Sequence, residues 1–151
     1  MKAERFLKQG YLVLPAIEVV YAWNGFNIIG KSQKLTEDIL GLVKKERKNV
    51  EARKGIMLLK FTYKECAKII SRQGGEYYLD DLCLVTLLEA VCLKSLGDPS
   101  KSEDLLKEVI SHAGKLKSDT YLIPYATLEY GIVLGERGDV DAAIRQLEKA
   151  K

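Results

Sequence analysis

The side chains best able to do chemistry are few and scattered along the chain. His112 is the only histidine. No cysteine, serine or acidic cluster accompanies it at the spacing of a metal site or a catalytic triad, so it reads as a solvated residue or a cap for carbonyls at a helix end. Cys66, Cys83 and Cys92 lie in apolar runs with no Cys-x-x-Cys spacing; they read as reduced, buried residues rather than zinc ligands or a disulfide framework. The adjacent carboxylates Asp80 and Asp81 have the types needed for acid and base work. They also fall in the first turn of an expected helix, where the helix dipole favours negative charge without any catalytic role. Lys44, Lys45, Arg47, Lys48, Arg53 and Lys54 crowd one stretch against Glu46 and Glu51, a composition that could hold a phosphate or an acidic partner, or simply face water along a helix. No aromatic residue interleaves these bases to stack on a nucleotide. There is no Gly-rich phosphate loop and no Ser-His-Asp order in its usual context. An enzyme would need a nucleophile or base with an orienting partner, and the sequence offers none, nor any call for a cofactor or metal.

The remaining composition describes the body that carries these groups. A chain of 151 residues is the usual size of one domain and can bury a core unaided. Its apolar share of 47%, charged share of 30% and three prolines suit a soluble globular protein. The formal charge of +3 is too small to imply nucleic acid or an anionic membrane as partner. The N-terminus is charged and lacks the apolar core of a secretory signal, and no Asn-x-Ser/Thr sequon occurs, so a cytoplasmic location is expected. The most apolar run, from Leu79 to Leu96, is interrupted by Asp80, Asp81, Glu89 and Lys94. It falls short of the roughly 20 residues a bilayer demands and suits a buried core helix instead. Gly131 and Gly135 form a small-xxx-small pair, but Glu129, Glu136 and Arg137 surround it, which favours close helix packing within a soluble fold.

Apolar spacing of three and four predicts a succession of helices. Residues 1 to about 14 read as the end of one helix, with Phe6 and Leu7 on its apolar side and Gly10 as a stop. Pro15 suits the first turn of the next, over about 16 to 29, whose Ile17, Val20, Tyr21, Trp23, Phe26, Ile28 and Ile29 are too apolar for a surface helix. Asn24-Gly25 alternatively marks a hairpin turn between β-prone flanks. Thr36 is placed to cap a further helix carrying Glu37 and Asp38 in its first turn and Leu35, Ile39, Leu42 and Val43 at helical spacing. Periodicity resumes from Ile56 to Ile70 and stops at Gly74-Gly75. A helix over about 79 to 96 is apolar almost all round, as for a helix packed on two sides. Gly97-Asp98-Pro99 turns the chain into a helix over 101–112, Pro124 opens another to about Glu136, and Gly138-Asp139 leads into a last one from Val140 to Ala150.

Repetition of the same turn organises the second half. With Gly138-Asp139 as the tight turn of a 34-residue helix-turn-helix unit, Gly131, Ala143, Leu147 and Ala150 take the small, small, large and small packing positions. The same ruler laid on Gly97-Asp98 gives Ala90, Ser102, Leu106 and Val109. Paired helices approach closely only where a small residue faces the partner, and the large residue fills the adjoining gap. The stretch from Gly138 to Ala150 resembles a tetratricopeptide repeat, with Thr127 and Tyr130 departing from the usual large residues. Leu14-Pro15-Ala16-Ile17-Glu18, Tyr21-Ala22-Trp23-Asn24-Gly25-Phe26, Gly30-Lys31, Asp80 to Val85 and Asp119 to Tyr125 resemble the tetratricopeptide repeat protein 39 family, in the expected order along nearly the whole chain.

That resemblance implies an all-α fold of antiparallel helix-turn-helix repeats stacked as a right-handed superhelix. The chain reads as a single module over 1–151, with its best units at about 83–116 and 124–151, and as a fragment or truncated form of a longer array. The implied function is a cytoplasmic, non-catalytic adaptor, some family members being associated with lipid and sterol homeostasis through their partner proteins. In such units the second, fifth, ninth and twelfth residues of the first helix usually face a concave groove; here they are Leu84, Leu87, Val91 and Lys94, then Tyr125, Leu128, Ile132 and Gly135. Such an apolar wall suits another protein or peptide presenting an amphipathic or apolar segment, unless neighbouring helices bury it. Two other readings stay open: a purely structural segment of a larger solenoid, able to self-associate through uncapped ends, and an enzyme domain.

Overall fold

The computed structural model describes residues 2–60 and 75–150, with the backbone alone described for 54–60. Every regular element among them is helical: α1 (Lys2–Gln9), α2 (Pro15–Ala22), α3 (Phe26–Ile29), α4 (Gln33–Lys60), α5 (Tyr78–Ser95), α6 (Pro99–Ile110), α7 (Leu122–Glu136) and α8 (Val140–Lys149). The expected helix stop at Gly74 and the residue Cys66 lie outside the described residues.

Two antiparallel hairpins, α5–α6 and α7–α8, share one turn chemistry. Gly97 and Gly138 adopt φ of +81° and +87°, where a side chain would be strained. The following amides reach back, Asp98 N to Leu93 O at 2.9 Å and Asp139 N to Leu134 O at 3.0 Å, closing the carbonyls of each last turn. Each aspartate then caps the next helix, accepting from Lys101 N at 3.2 Å and from Ala142 N at 3.1 Å. Pro99 adds its fixed φ at the first turn of α6.

Helices α4 to α8 pack in sequence order; α5 also touches α7 and lies under α2. Enclosure by these neighbours explains why every residue from Cys83 to Leu93 is buried. An all-round apolar helix is stable only in such a position. Val43 and Val50 are fully buried apolar residues of α4.

The N-terminal third corrects several expectations. Helix α1 buries Arg5 and Gln9, while Phe6 and Leu7 are 49% and 82% exposed; ion pairs to Arg5, described below, outweigh the apolar side chains in setting its orientation. The 16–29 segment is not one buried helix. It breaks at Trp23–Gly25, where Asn24 takes a left-handed φ of 61°, and it forms two short helices rather than a β-hairpin. Its Val19, Val20, Trp23 and Ile28 face solvent, Trp23 at 85%. Thr36 lies inside α4 rather than capping it: the helix starts at Gln33, Ser32 Oγ accepts from Leu35 N, and the Thr36 hydroxyl donates to the Ile29 and Ser32 carbonyls. Leu35 and Leu42 are exposed, and the basic stretch simply continues α4.

Candidate functional site

The surface expected to bind a partner is the face of α5 and α7. Leu84, Leu87 and Val91 are 1%, 0% and 3% exposed, so they belong to the core and cannot form an open wall. The groove expectation fails for these three because helices of the same chain enclose α5. Lys94 is engaged at 2.6 Å with Glu129. Tyr125 sits edge-on to Tyr21 and Tyr121, with ring centroids 5.7 Å away in each case. Ile132 is half-buried, and Leu128, at 41%, is the exposed apolar member of the set. Gly135 faces the Ala143 methyl, which an added Cβ would meet at 3.7 Å.

Residues 2–30 fill this face, held by polar bonds. The Tyr21 hydroxyl donates to Glu129 at 3.1 Å, and the Tyr121 hydroxyl donates to Glu18. Burial and those carboxylates push both phenols up, so they stay protonated donors. Gly30 permits close approach to α5, and Gly25 permits the tight turn against Val20 between α2 and α3. A Cβ on Gly30 would lie 2.9 Å from Ser95 Oγ, and one on Gly25 would lie 2.7 Å from Val20 Cγ1.

The strongest fastening lies at the start of α5. Arg5, 1% exposed, pairs with Asp81 and, at 2.5 Å, with Asp119. Lys2 bridges Asp119 and Glu18 at 2.6 and 2.7 Å. Arg53 reaches Asp81 at 3.5 Å and donates to the Tyr11 hydroxyl at 3.0 Å. Asp80 accepts backbone amides of Lys117, Ser118 and Asp119 at 3.2, 2.8 and 2.7 Å, fixing the approach to α7. The adjacent carboxylates do fall in the first turn of α5, as expected, and they are a structural centre besides. Burial pushes the Asp81 carboxyl up to about 6 against the pull of Arg5, Arg53 and Lys2. Nothing in the sequence joins Arg5 to partners 76 and 114 positions away, so this clasp was invisible to spacing arguments.

A family assignment follows on these features. The family model of Iml2/tetratricopeptide repeat protein 39 matches residues 1–96. The chain belongs to this family. It is also 29% identical over 150 residues to tetratricopeptide repeat protein ttc-39B of Caenorhabditis elegans, covering 99% of this chain but 22% of that relative's length. No solved structure matches. The family match thus spans the clasp segment and α5, while the regular turn of α7–α8 lies beyond it.

Of the residues expected to pack the repeats, those of the first unit are buried and Gly131 of the last unit touches Leu147 and Ala143. Ala90, Ser102, Leu106 and Val109 are each fully buried. An added Cβ on Gly131 would lie 2.9 Å from Leu147 and 3.4 Å from the Ala143 carbonyl, so α7 and α8 touch nearly backbone to backbone there. Ala150 is half-buried just past the end of α8.

Among the remaining candidates, both arginines of the basic stretch and two of the cysteines are accounted for by the fold. Arg47 pairs with Glu51, Glu89 and Glu108 at 3.0, 3.0 and 3.2 Å, and Arg53 with Glu46 at 3.0 Å. The two arginines of the basic stretch therefore bind their own chain rather than a phosphate. Burial pushes the Cys83 and Cys92 thiols up to about 12, far from the thiolate a nucleophile or metal ligand requires. His112 is half-buried, and no metal-holding cluster occurs among the described residues.

An open cleft of about 250 Å³ lies on the face, lined among others by Asn24, Asn27, Val91, Lys94, Glu129 and Glu136. No helix among the described residues is long and apolar enough to cross a membrane.

Proposed function

We propose that this chain is a non-catalytic, cytoplasmic adaptor module that binds another protein through the outer surface of α2–α3 and the adjoining edge of α7. The carrying observation is the exposure of Trp23 at 85%, Ile28 at 76% and Val19 at 55%, on a segment whose other face is fixed by hydrogen bonds, together with Leu128 of α7 at 41%. Rigid, exposed aromatic and aliphatic anchors are what a binding surface supplies, because they cost little ordering on contact. The non-catalytic reading is supported by the engagement of the buried carboxylates among the described residues in ion pairs or amide bonds and by the Cys83 and Cys92 thiols held protonated. An effect on lipid or sterol homeostasis would then belong to the partner that the module recruits. Affinity capture with the full-length family protein tests the reading. Trp23→Ala with Ile28→Ser should remove bound proteins while helicity and melting temperature stay unchanged, and an unaltered set of captured proteins would sink it.

A second reading has its own observation. Val140, Ile144 and Leu147 on α8 are 59%, 49% and 36% exposed, a stripe that the next helix of a longer solenoid would cover. The chain spans about a fifth of the length of its worm relative, so we treat the module as one slice of a larger array. Deletion of residues 2–150 from the full-length protein with every partner retained would favour a purely structural segment.

A further inference from the structure

We propose that the cleft between α2–α3, α5 and α7 receives a lysine or arginine side chain of the partner protein, whose neighbouring apolar residue rests on Trp23 and Ile28. This inference rests on the adaptor reading and names the chemistry of its contact. Lys94 is the one cation among the lining residues, and it is already neutralised by Glu129 at 2.6 Å. Glu136 also lines the cleft, and among the described residues it pairs with no cation. One carboxylate therefore stands uncompensated. The last residues of two helices, Ser95 of α5 and Glu136 of α7, both lie at the cleft, so the negative ends of two helix dipoles add to that charge. Glu129 accepts one bond on each oxygen, from Tyr21 and from Lys94, and a carboxylate retains acceptor capacity beyond that.

The neutral groups agree with the charge. Asn24 and Asn27 are exposed lining residues whose amide oxygens can accept from an ammonium or a guanidinium. Trp23 and Ile28, next in sequence to those asparagines, supply apolar surface, and the indole face attracts a cation besides. An anionic peptide end, by contrast, would meet Glu136 and two negative helix ends with Lys94 already engaged. A cleft of this size admits a single long side chain, not a folded element.

Trp23 is the only tryptophan, so its emission reports directly on this surface. The intact chain is titrated with the capped tripeptide acetyl-Leu-Arg-Leu-amide, following tryptophan emission and the backbone amide shifts of Asn24, Asn27, Ser95 and Glu136. Saturable changes in both are expected with this peptide, and binding about fivefold weaker or worse when Gln replaces its Arg, or when Glu136→Gln removes the open charge. Asn27→Lys, which places a cation in the cleft, should abolish the response while circular dichroism stays unchanged. Equal binding of the Arg and Gln peptides, or the absence of any saturable response, would overturn the proposal. In partner capture, loss with Trp23→Ala but full retention with both Glu136→Gln and Asn27→Lys would leave the adaptor reading standing and remove this one.

Discussion

The two repeat hairpins and the N-terminal segment are held by different physics. In α7–α8, Gly131 lets Leu147 and the backbone of Ala143 come within contact distance, and the turn satisfies its own polar groups. Residues 2–30 instead dock through Arg5, Lys2, Glu18 and Tyr21 onto acidic and phenolic groups of α5, of α7 and of the segment that leads into α7. Shape holds the first region and charge the second. Close packing tolerates loss of one contact better than buried charge does, because a charge stripped of its partner keeps its full desolvation cost.

The sharpest test of that contrast is Arg5→Ala, which strands Asp81 and Asp119 in the interior. Urea denaturation should show a loss of about 3–5 kcal/mol, and a loss below that of the packing variants would reverse the ranking of the two regions. Next comes pH. The Asp81 carboxyl is pushed up to about 6 in the folded chain, against about 3.9 when unfolded. The folded state thus holds its proton longer, and this contribution is fully present below about pH 4 and lost as pH rises through about 6. The stability difference between the native chain and Asp81→Asn, measured by denaturant titration at stepped pH, should fall by about 2–3 kcal/mol across that window. A flat difference would mean that the arginines hold Asp81 ionised throughout.

Tyr125→Ala should cost about 2 kcal/mol, since its ring packs between Tyr21 and Tyr121. An unchanged melting temperature would return Tyr125 to the groove role expected from its repeat position. The smallest of the four effects belongs to Gly131→Leu, at about 1–2 kcal/mol in thermal or denaturant midpoints. Leu147 is 36% exposed and can swing partly aside, which limits the strain, whereas unchanged midpoints would count against the register of the α7–α8 contact.

The legible parts of this protein were those in which neighbours in sequence are neighbours in space. Helix spacing, the Gly-Asp turns and the small-large pairing all operate within about one repeat, so Gly97, Gly138, Asp98, Asp139 and the all-round apolar character of α5 could be read from residue order alone. The family resemblance carried the all-helical class as well. Burial of Arg5 in place of Phe6 and Leu7, the sealing of Leu84, Leu87 and Val91, and the conversion of Asp80 and Asp81 from a helix-end decoration into a fastening point were decided by tertiary structure. Each depends on which distant segment arrives to cover a face. A pattern of three and four marks an apolar stripe but does not say whether water, a partner or the chain itself will meet it, and a buried ion pair between residues 76 or 114 positions apart leaves no periodic trace.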